Sequence, residues 1–407
     1  MSEEETTKRA LKIAVFHNLP SGGAKRRLYE QVKRIGTRHT IHLYNLATDC
    51  EGYLDLRPLV ERTFTFNVHT KLKGGSGLFF LNPMLKVAQI EELEFISRRI
   101  ARRINAGGYD VAFVNPCMFV QTPEVLRYLR TPVVYYCDEP LRRLHEPRVH
   151  RPYERGLRSA LRGMGYGPSD HVLRRMERAS IGCANMILVN SSYSREVVYR
   201  LFGRFPRLLR LGVDSEVFKR TGEREKGVVL SVGRIAPHKA YDFLIRSVAV
   251  IGSKPRLIIA CDAADPLERK YLQGMAGSLS VELEIRERAS EEELAGLYSR
   301  ASVTALTAIL EPFGLSALES MACGTPVVAV REGGFRESVV DGETGLLTER
   351  TIAAFSGALR KLLGDGEWVE EMGRKGREHV EACWDWETSA RALESILEEV
   401  ASASDGG

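Results

Sequence analysis

Short apolar segments of strand length alternate along this chain with longer stretches of helical periodicity, in two successive series. The first series has strand candidates at 11–18, 40–46, 111–115, 133–137 and 186–190. Helical patterns run to about Ile35 and over 87–105, 123–130, 171–183 and 194–202. The second series follows Phe205-Pro206, with strands at 228–232, 256–260, 281–285, 303–306 and 327–330 and helices between them. Alternation of this kind predicts parallel sheets wrapped by helices. Two doubly wound α/β halves place the ligand site in the cleft between them, at the carboxyl ends of the strands. The domains are expected at 1–208 and 209–386.

A chain of 407 residues is too long for one ordinary core and suits two domains. No stretch approaches ~20 uninterrupted apolar residues, so no membrane span is expected. The first residues lack the apolar core of a secretory signal. The seven cysteines are odd in number and form no Cys-x-x-Cys, which argues against a disulfide framework and a zinc site. A reducing cytoplasm is the expected location. Net charge is only +5, but between Leu141 and Arg178 ten arginines face four acids, a local balance of +6. Such a field favours an anionic partner, phosphate or an acidic lipid surface. No nucleic-acid-binding fingerprint accompanies it, so no nucleic-acid partner is expected.

Two local patterns carry chemistry. Glu311-Pro312-Phe313-Gly314-Leu315 leads into an apolar helical run that bears Glu319 and ends at Ala322-Cys323-Gly324-Thr325-Pro326. The glycine lets backbone approach a ligand, and the first N–H groups of the helix lack internal partners and attract anions. Two glutamates at this spacing are otherwise a solvated helix face. The second pattern, Gly233-Arg234-Ile235-Ala236-Pro237-His238-Lys239-Ala240, joins a buried strand to a helix. One Arg and one Lys there suit a diphosphate, or are two solvated cations at a helix start.

Together these patterns resemble the family 4 retaining glycosyltransferases, enzymes of the GT-B fold: two Rossmann-like domains facing a central cleft. The resemblance is strong from Val228 to Leu347 and diffuse before Asp138. It implies a hexosyltransferase that moves a sugar from a nucleotide-diphosphate sugar to an acceptor hydroxyl in glycan or glycolipid assembly. Arg234 and Lys239 would neutralise the diphosphate, with Gly233 beside them. Glu311 would hold the sugar hydroxyls, with Phe313, Gly314 and Leu315 offering backbone N–H groups. Glu319 would accept hydrogen bonds from the ribose, and Arg286 would flank the base. A last helix at 387–400 would cross back onto the first domain. With two cations in place no metal or cofactor is expected. The family's glycine after the lysine is here Ala240, and Glu337 aligns with a glutamate that is usually structural.

The first domain would bind the acceptor. Gly22 and Gly23, after the first strand, would let backbone approach a phosphate or sugar. In Tyr136-Cys137-Asp138-Glu139-Pro140-Leu141-Arg142, Asp138 stands where relatives often carry a histidine near the donor sugar. It could accept a hydrogen bond from a sugar hydroxyl or counter a developing positive charge, or it could simply cap the turn before Pro140. Arg142, Arg143 and His145 are the acceptor-side candidates, for an anionic or phosphorylated acceptor that could be lipid-linked. Residues 71–81 combine basic and apolar side chains, either to touch the cytoplasmic face of a membrane or as an ordinary surface loop. A small soluble phosphorylated acceptor, or a silent nucleotide-sugar-binding subunit, are the alternatives.

Overall fold

The computed structural model describes residues 9–47, 52–69, 82–146, 149, 151–153 and 167–403. The candidate membrane loop 71–81 and Arg148, Arg155, Arg158 and Arg162 of the basic run lie outside the described residues.

Two parallel sheets organise the chain. The first contains β1 (Lys12–Asn18), β2 (Thr40–Leu46), β3 (Arg62–Phe66), β4 (Val111–Cys117), β5 (Val133–Tyr136), β6 (Met186–Val189) and β7 (Arg207–Leu208), in the order β3-β2-β1-β4-β5-β6-β7. The second contains β8 (Val228–Val232), β9 (Arg256–Cys261), β10 (Leu283–Glu287), β11 (Val303–Leu306), β12 (Val327–Val330) and β13 (Gly345–Thr348), in the order β10-β9-β8-β11-β12-β13. In both, the chain starts at a central strand, winds outward to one edge, returns, and winds to the other. The strand order reverses beside β1 in one lobe and β8 in the other, so both crevices open at the carboxyl ends of those strands.

The strands are apolar because both faces are covered. Ile13, Val15, Leu43, Phe113 and Val134 point to one side of the first sheet and pack with Leu28 and Val32 of the helix Gly23–Ile35. Ala14, Phe16, Tyr44, Val114 and Tyr135 point to the other and pack with Ile96 and Ile100 of the helix Asn82–Asn105. Each fully buried large aliphatic or aromatic side chain stabilises the fold by about 1.5–3 kcal/mol relative to exposure.

The chain returns to the first lobe at its end. The helix Trp386–Ser402 packs on the helix Gly23–Ile35 and on β4 and β5. Its buried Glu394 accepts from His39 at 3.0 Å and pairs with Arg38 at 2.9 Å. A Cβ at Gly212 would lie 2.5 Å from the Trp386 nitrogen, so the segment entering the second lobe runs against the one leaving it. Val213 N–H donates to the Trp384 carbonyl at 3.0 Å and ties them.

Several boundaries differ from the sequence expectation. Strand β10 begins at Leu283 rather than 281 because its pairing with β9 starts at Leu257. The expected helix at 123–130 is only a 3-10 turn, Glu124–Arg127. β3, β7 and β13 escaped prediction: β3 alternates polar and aromatic residues at a sheet edge, β7 has only two residues, and β13 opens on Gly345 at the edge of the second sheet.

Candidate functional site

The second lobe contributes one wall of the cleft. After β8 the chain turns at Gly233 and makes a 3-10 turn over Pro237–Lys239. Ala240, where the resemblance calls for glycine, adopts φ 50° and ψ 45°. A left-handed alanine carries roughly 1–2 kcal/mol of strain. The turn directs the Lys239 ammonium onto Glu311 Oε2 at 2.7 Å. Both side chains are less than a fifth exposed, at 19% and 17%. Burial pushes the Glu311 carboxyl up, but the Lys239 charge and hydrogen bond outweigh it, and the group sits below its ordinary value. His238 is pushed down to about 4, first by burial and then by the Lys239 charge, so its imidazole is neutral at pH 7.

The Glu311 loop is seated by glycines. A Cβ on Gly333 would lie 2.2 Å from the Glu311 carbonyl oxygen, and Gly334 N–H donates to that oxygen at 2.7 Å. Gly314, at φ 90°, starts the helix Leu315–Ala322, and a Cβ there would lie 2.4 Å from Phe335 Cε1. The Phe313 side chain turns inward onto Trp384, ring centroids 5.2 Å apart, so only its backbone can face a ligand. Glu319 is buried and accepts from Tyr298 Oη at 2.9 Å. Burial raises its pKa, and Arg26 and the Tyr298 hydrogen bond only partly offset this.

The first lobe supplies the opposite wall. Gly22 precedes the helix Gly23–Ile35, and no side chain caps that helix or the helix Leu315–Ala322. The two helix starts meet: a Cβ on Gly23 would lie 3.1 Å from Leu315 Cδ1. Two uncapped N-termini converging beside a Lys–Glu pair make an anion-receiving cleft. Arg234 reaches across it to the Ser21 carbonyl at 3.2 Å, and Ser21 Oγ donates to Asp262 at 2.8 Å. Arg142 donates to the Ile309 carbonyl at 2.5 Å, two residues before Glu311. Glu337 accepts the N–H groups of Ser192 and Tyr193 at 2.9 and 3.1 Å, so it caps the helix Ser192–Phe202 of the other lobe.

Other expected site residues have different partners. Asp138 receives two hydrogen bonds from the fully buried Arg27, at 3.0 and 2.7 Å. Arg27 also donates to Asn115 and Gln31 and stacks on Tyr136 at 3.6 Å. Asp138 is thus the counter-ion of a buried cation rather than a turn cap. His145 pairs with Glu177 at 2.6 Å and meets the Phe202 ring edge-on. Arg143 pairs with Asp170 at 3.1 Å, and Arg286 pairs with Glu284 near solvent. Arg174 and Arg178 donate to the Leu144 and Leu201 carbonyls, so part of the basic run holds its own segment together.

Sequence reasoning missed Arg26, which joins the lobes at the Glu319 end. It pairs with Glu291 at 2.6 Å, donates to Tyr53 Oη at 3.1 Å and lies 3.8 Å from Glu319 Oε1. Ser290 and Glu293 form a capping box beside it. Among the described residues, no group of three or more His, Cys, Asp or Glu side chains could hold a metal ion, and no helix is long and apolar enough to cross a membrane.

Residues 213–379, which carry Arg234, Lys239, Glu311 and Glu319, match the sequence model of the glycosyl transferases group 1. That match lies in the second lobe and covers less than half of the chain. The chain is 33% identical over 240 residues to a D-inositol 3-phosphate glycosyltransferase of Kribbella flavida, covering 53% of this chain and 56% of that protein. It is 29% identical over 283 residues to the protein of the same name from Corynebacterium diphtheriae, covering 63% and 66%. The matched region spans about half the length of the first of these relatives. Among solved structures, sucrose-phosphate synthase from Thermosynechococcus elongatus superposes with a TM-score of 0.75 at 21% identity, over 97% of this chain and 100% of that one. Anabaena HepE, in complex with UDP and glucose, gives 0.71 at 19% identity, over 96% and 100%. The two lobes are those of the GT-B fold.

Proposed function

We propose that this chain is a family 4 glycosyltransferase and that it transfers a sugar, with retention of configuration, from a nucleotide-diphosphate sugar to a hydroxyl of a phosphorylated acceptor. The observation that carries this reading is the Lys239–Glu311 pair at 2.7 Å, beside two uncapped helix N-termini that meet across the cleft. Lys239 and Arg234 meet the negative charge that grows on the diphosphate as its bond to the sugar breaks. Glu311 accepts hydrogen bonds from the sugar hydroxyls, and Glu319 from the ribose. The acceptor hydroxyl attacks from the face that the diphosphate leaves, which keeps the configuration.

Relatives named for D-inositol 3-phosphate support a small phosphorylated acceptor, as does the excess of arginine over acid at 141–178. A lipid-linked acceptor is the alternative within this reading, and co-sedimentation with anionic liposomes separates the two. A panel of UDP-, GDP- and ADP-sugars, read by thermal shift and then by turnover, tests the reading, because a ligand that binds the native state raises its apparent stability. UDP-glucose with D-inositol 3-phosphate is the first pair to try. A shift with one nucleotide sugar, and transfer to a phosphorylated polyol, is the expected result. No shift with any donor overturns the reading.

A second reading, a silent nucleotide-sugar-binding subunit, is favoured by one observation. Arg27 takes up both oxygens of Asp138, at the position where relatives carry a histidine. Slow hydrolysis of the bound donor in the absence of acceptor argues against it.

A further inference from the structure

Glu139 has no role in the scheme above. It follows Asp138 on the loop that leaves β5, at the carboxyl end of the sheet. Its neighbour Arg142 is anchored on the opposite wall at the Ile309 carbonyl, and its Nε donates to Glu146 at 2.8 Å. Arg142 Nε lies 3.8 Å from Glu139 Oε2, beyond hydrogen-bond length. Four acids lie in this region. Asp138 is occupied by Arg27, Glu146 by Arg142 and Glu311 by Lys239. Among the described residues no hydrogen bond reaches the Glu139 carboxylate, and a third of its side chain is exposed.

Resting on the function proposed above, we propose that Glu139 takes the proton of the acceptor hydroxyl as the new glycosidic bond forms. The acceptor O–H bond breaks and its proton passes to a Glu139 oxygen. The electron pair released on the acceptor oxygen forms the bond to the anomeric carbon. The bond from that carbon to the diphosphate oxygen breaks, and its pair leaves with the nucleoside diphosphate beside Lys239 and Arg234. Glu139 then returns the proton to solvent when the cleft empties.

The surroundings suit this task. Burial pushes the Glu139 carboxyl up to about 7, with Arg142 and Lys239 opposing and Glu311 and Glu146 reinforcing the rise. Burial raises the hydroxyl pKa of Tyr193, on the helix Ser192–Phe202, and the charges of Glu146 and, least, Glu139 add to the rise. A base that titrates near the working pH is an efficient proton acceptor. His238, on the other wall, titrates near pH 4 and is a much weaker base.

The test compares wild-type chain with Glu139→Gln and Glu139→Asp, using the donor and acceptor that the panel selects and starting with UDP-glucose and D-inositol 3-phosphate. Glu139→Gln should lower kcat by on the order of 100-fold and abolish the rise of kcat/KM with pH near 7. Glu139→Asp should keep the rise and part of the rate. UDP affinity by calorimetry should stay within about twofold in both variants, which separates proton transfer from a damaged donor site. A Gln variant within about threefold of wild type, or one that keeps the pH limb, overturns the assignment and leaves a donor phosphate oxygen as the acceptor of the proton. Wild-type chain that binds UDP but transfers with no pair overturns the function reading first, and this assignment with it.

Discussion

Arg27 and Asp138, 111 positions apart in sequence, form a two-pronged ion pair at 3.0 and 2.7 Å beneath the floor of the cleft. The guanidinium is fully buried, and among the described residues Asp138 is the one carboxylate it pairs with. Asp138→Ala should lower stability by about 3–5 kcal/mol in urea denaturation, because a buried charge loses its partner. Replacing both residues with apolar ones of similar size, as Arg27→Met with Asp138→Leu, should recover much of that loss. A single variant as stable as wild type would show that Asp138 is not the counter-ion.

The two cations of the second lobe should be needed for turnover. Arg234→Ala and Lys239→Ala should each slow transfer by ~100-fold or more, since each removes about 3 kcal/mol of stabilisation from the leaving diphosphate. Near-normal rates in steady-state assays would remove them from the donor site.

Glu319→Gln should weaken UDP binding by roughly 10–100-fold in calorimetry, the value of a hydrogen bond to a charged group. Tyr298 and Arg26 already hold this carboxylate in place. Unchanged affinity would assign it to the lobe contact alone.

His238 should make stability fall in acid. The unfolded chain takes up this proton near pH 6.5, whereas the folded chain, where burial and the Lys239 charge oppose it, does so only near pH 4. Stability from this group is therefore complete above pH 6.5, declines between 6.5 and about 4, and changes no further below. In denaturation curves across that window, His238→Gln should flatten the slope relative to wild type. An identical slope would contradict the depressed value.

Ala240→Gly should raise the thermal midpoint slightly. It relieves roughly 1–2 kcal/mol of left-handed strain and costs about 0.4–1 kcal/mol through the freer unfolded chain. A lower midpoint would show that the alanine methyl contributes packing that outweighs the strain.

The wall of the second lobe was legible because Arg234, Lys239, Glu311 and Gly314 lie in two short motifs that resemble a known family, although Lys239 and Glu311 meet across 72 positions. The runs at β8, β11 and β12 are apolar enough to mark buried strands. The opposite wall was not legible in the same way. Nothing in the sequence singles out Arg26 and Arg27, and only contacts made far along the chain reveal them as lobe bridge and buried cation. His145 and Arg143 read as anion ligands until Glu177 and Asp170, on a helix tens of residues later, take them up. Spacing reports periodicity and turns, but it cannot report which distant carboxylate neutralises an arginine.

The hydrogen bond from Val213 to Trp384 bears on how the lobes could part. The polypeptide passes between the lobes along two segments that lie side by side, and this bond fastens one to the other. A parting of the lobes would then swing about that shared edge, like covers about the spine of a book. The Phe313 ring rests on Trp384 at the same edge, so each swing would tug the loop that bears Glu311.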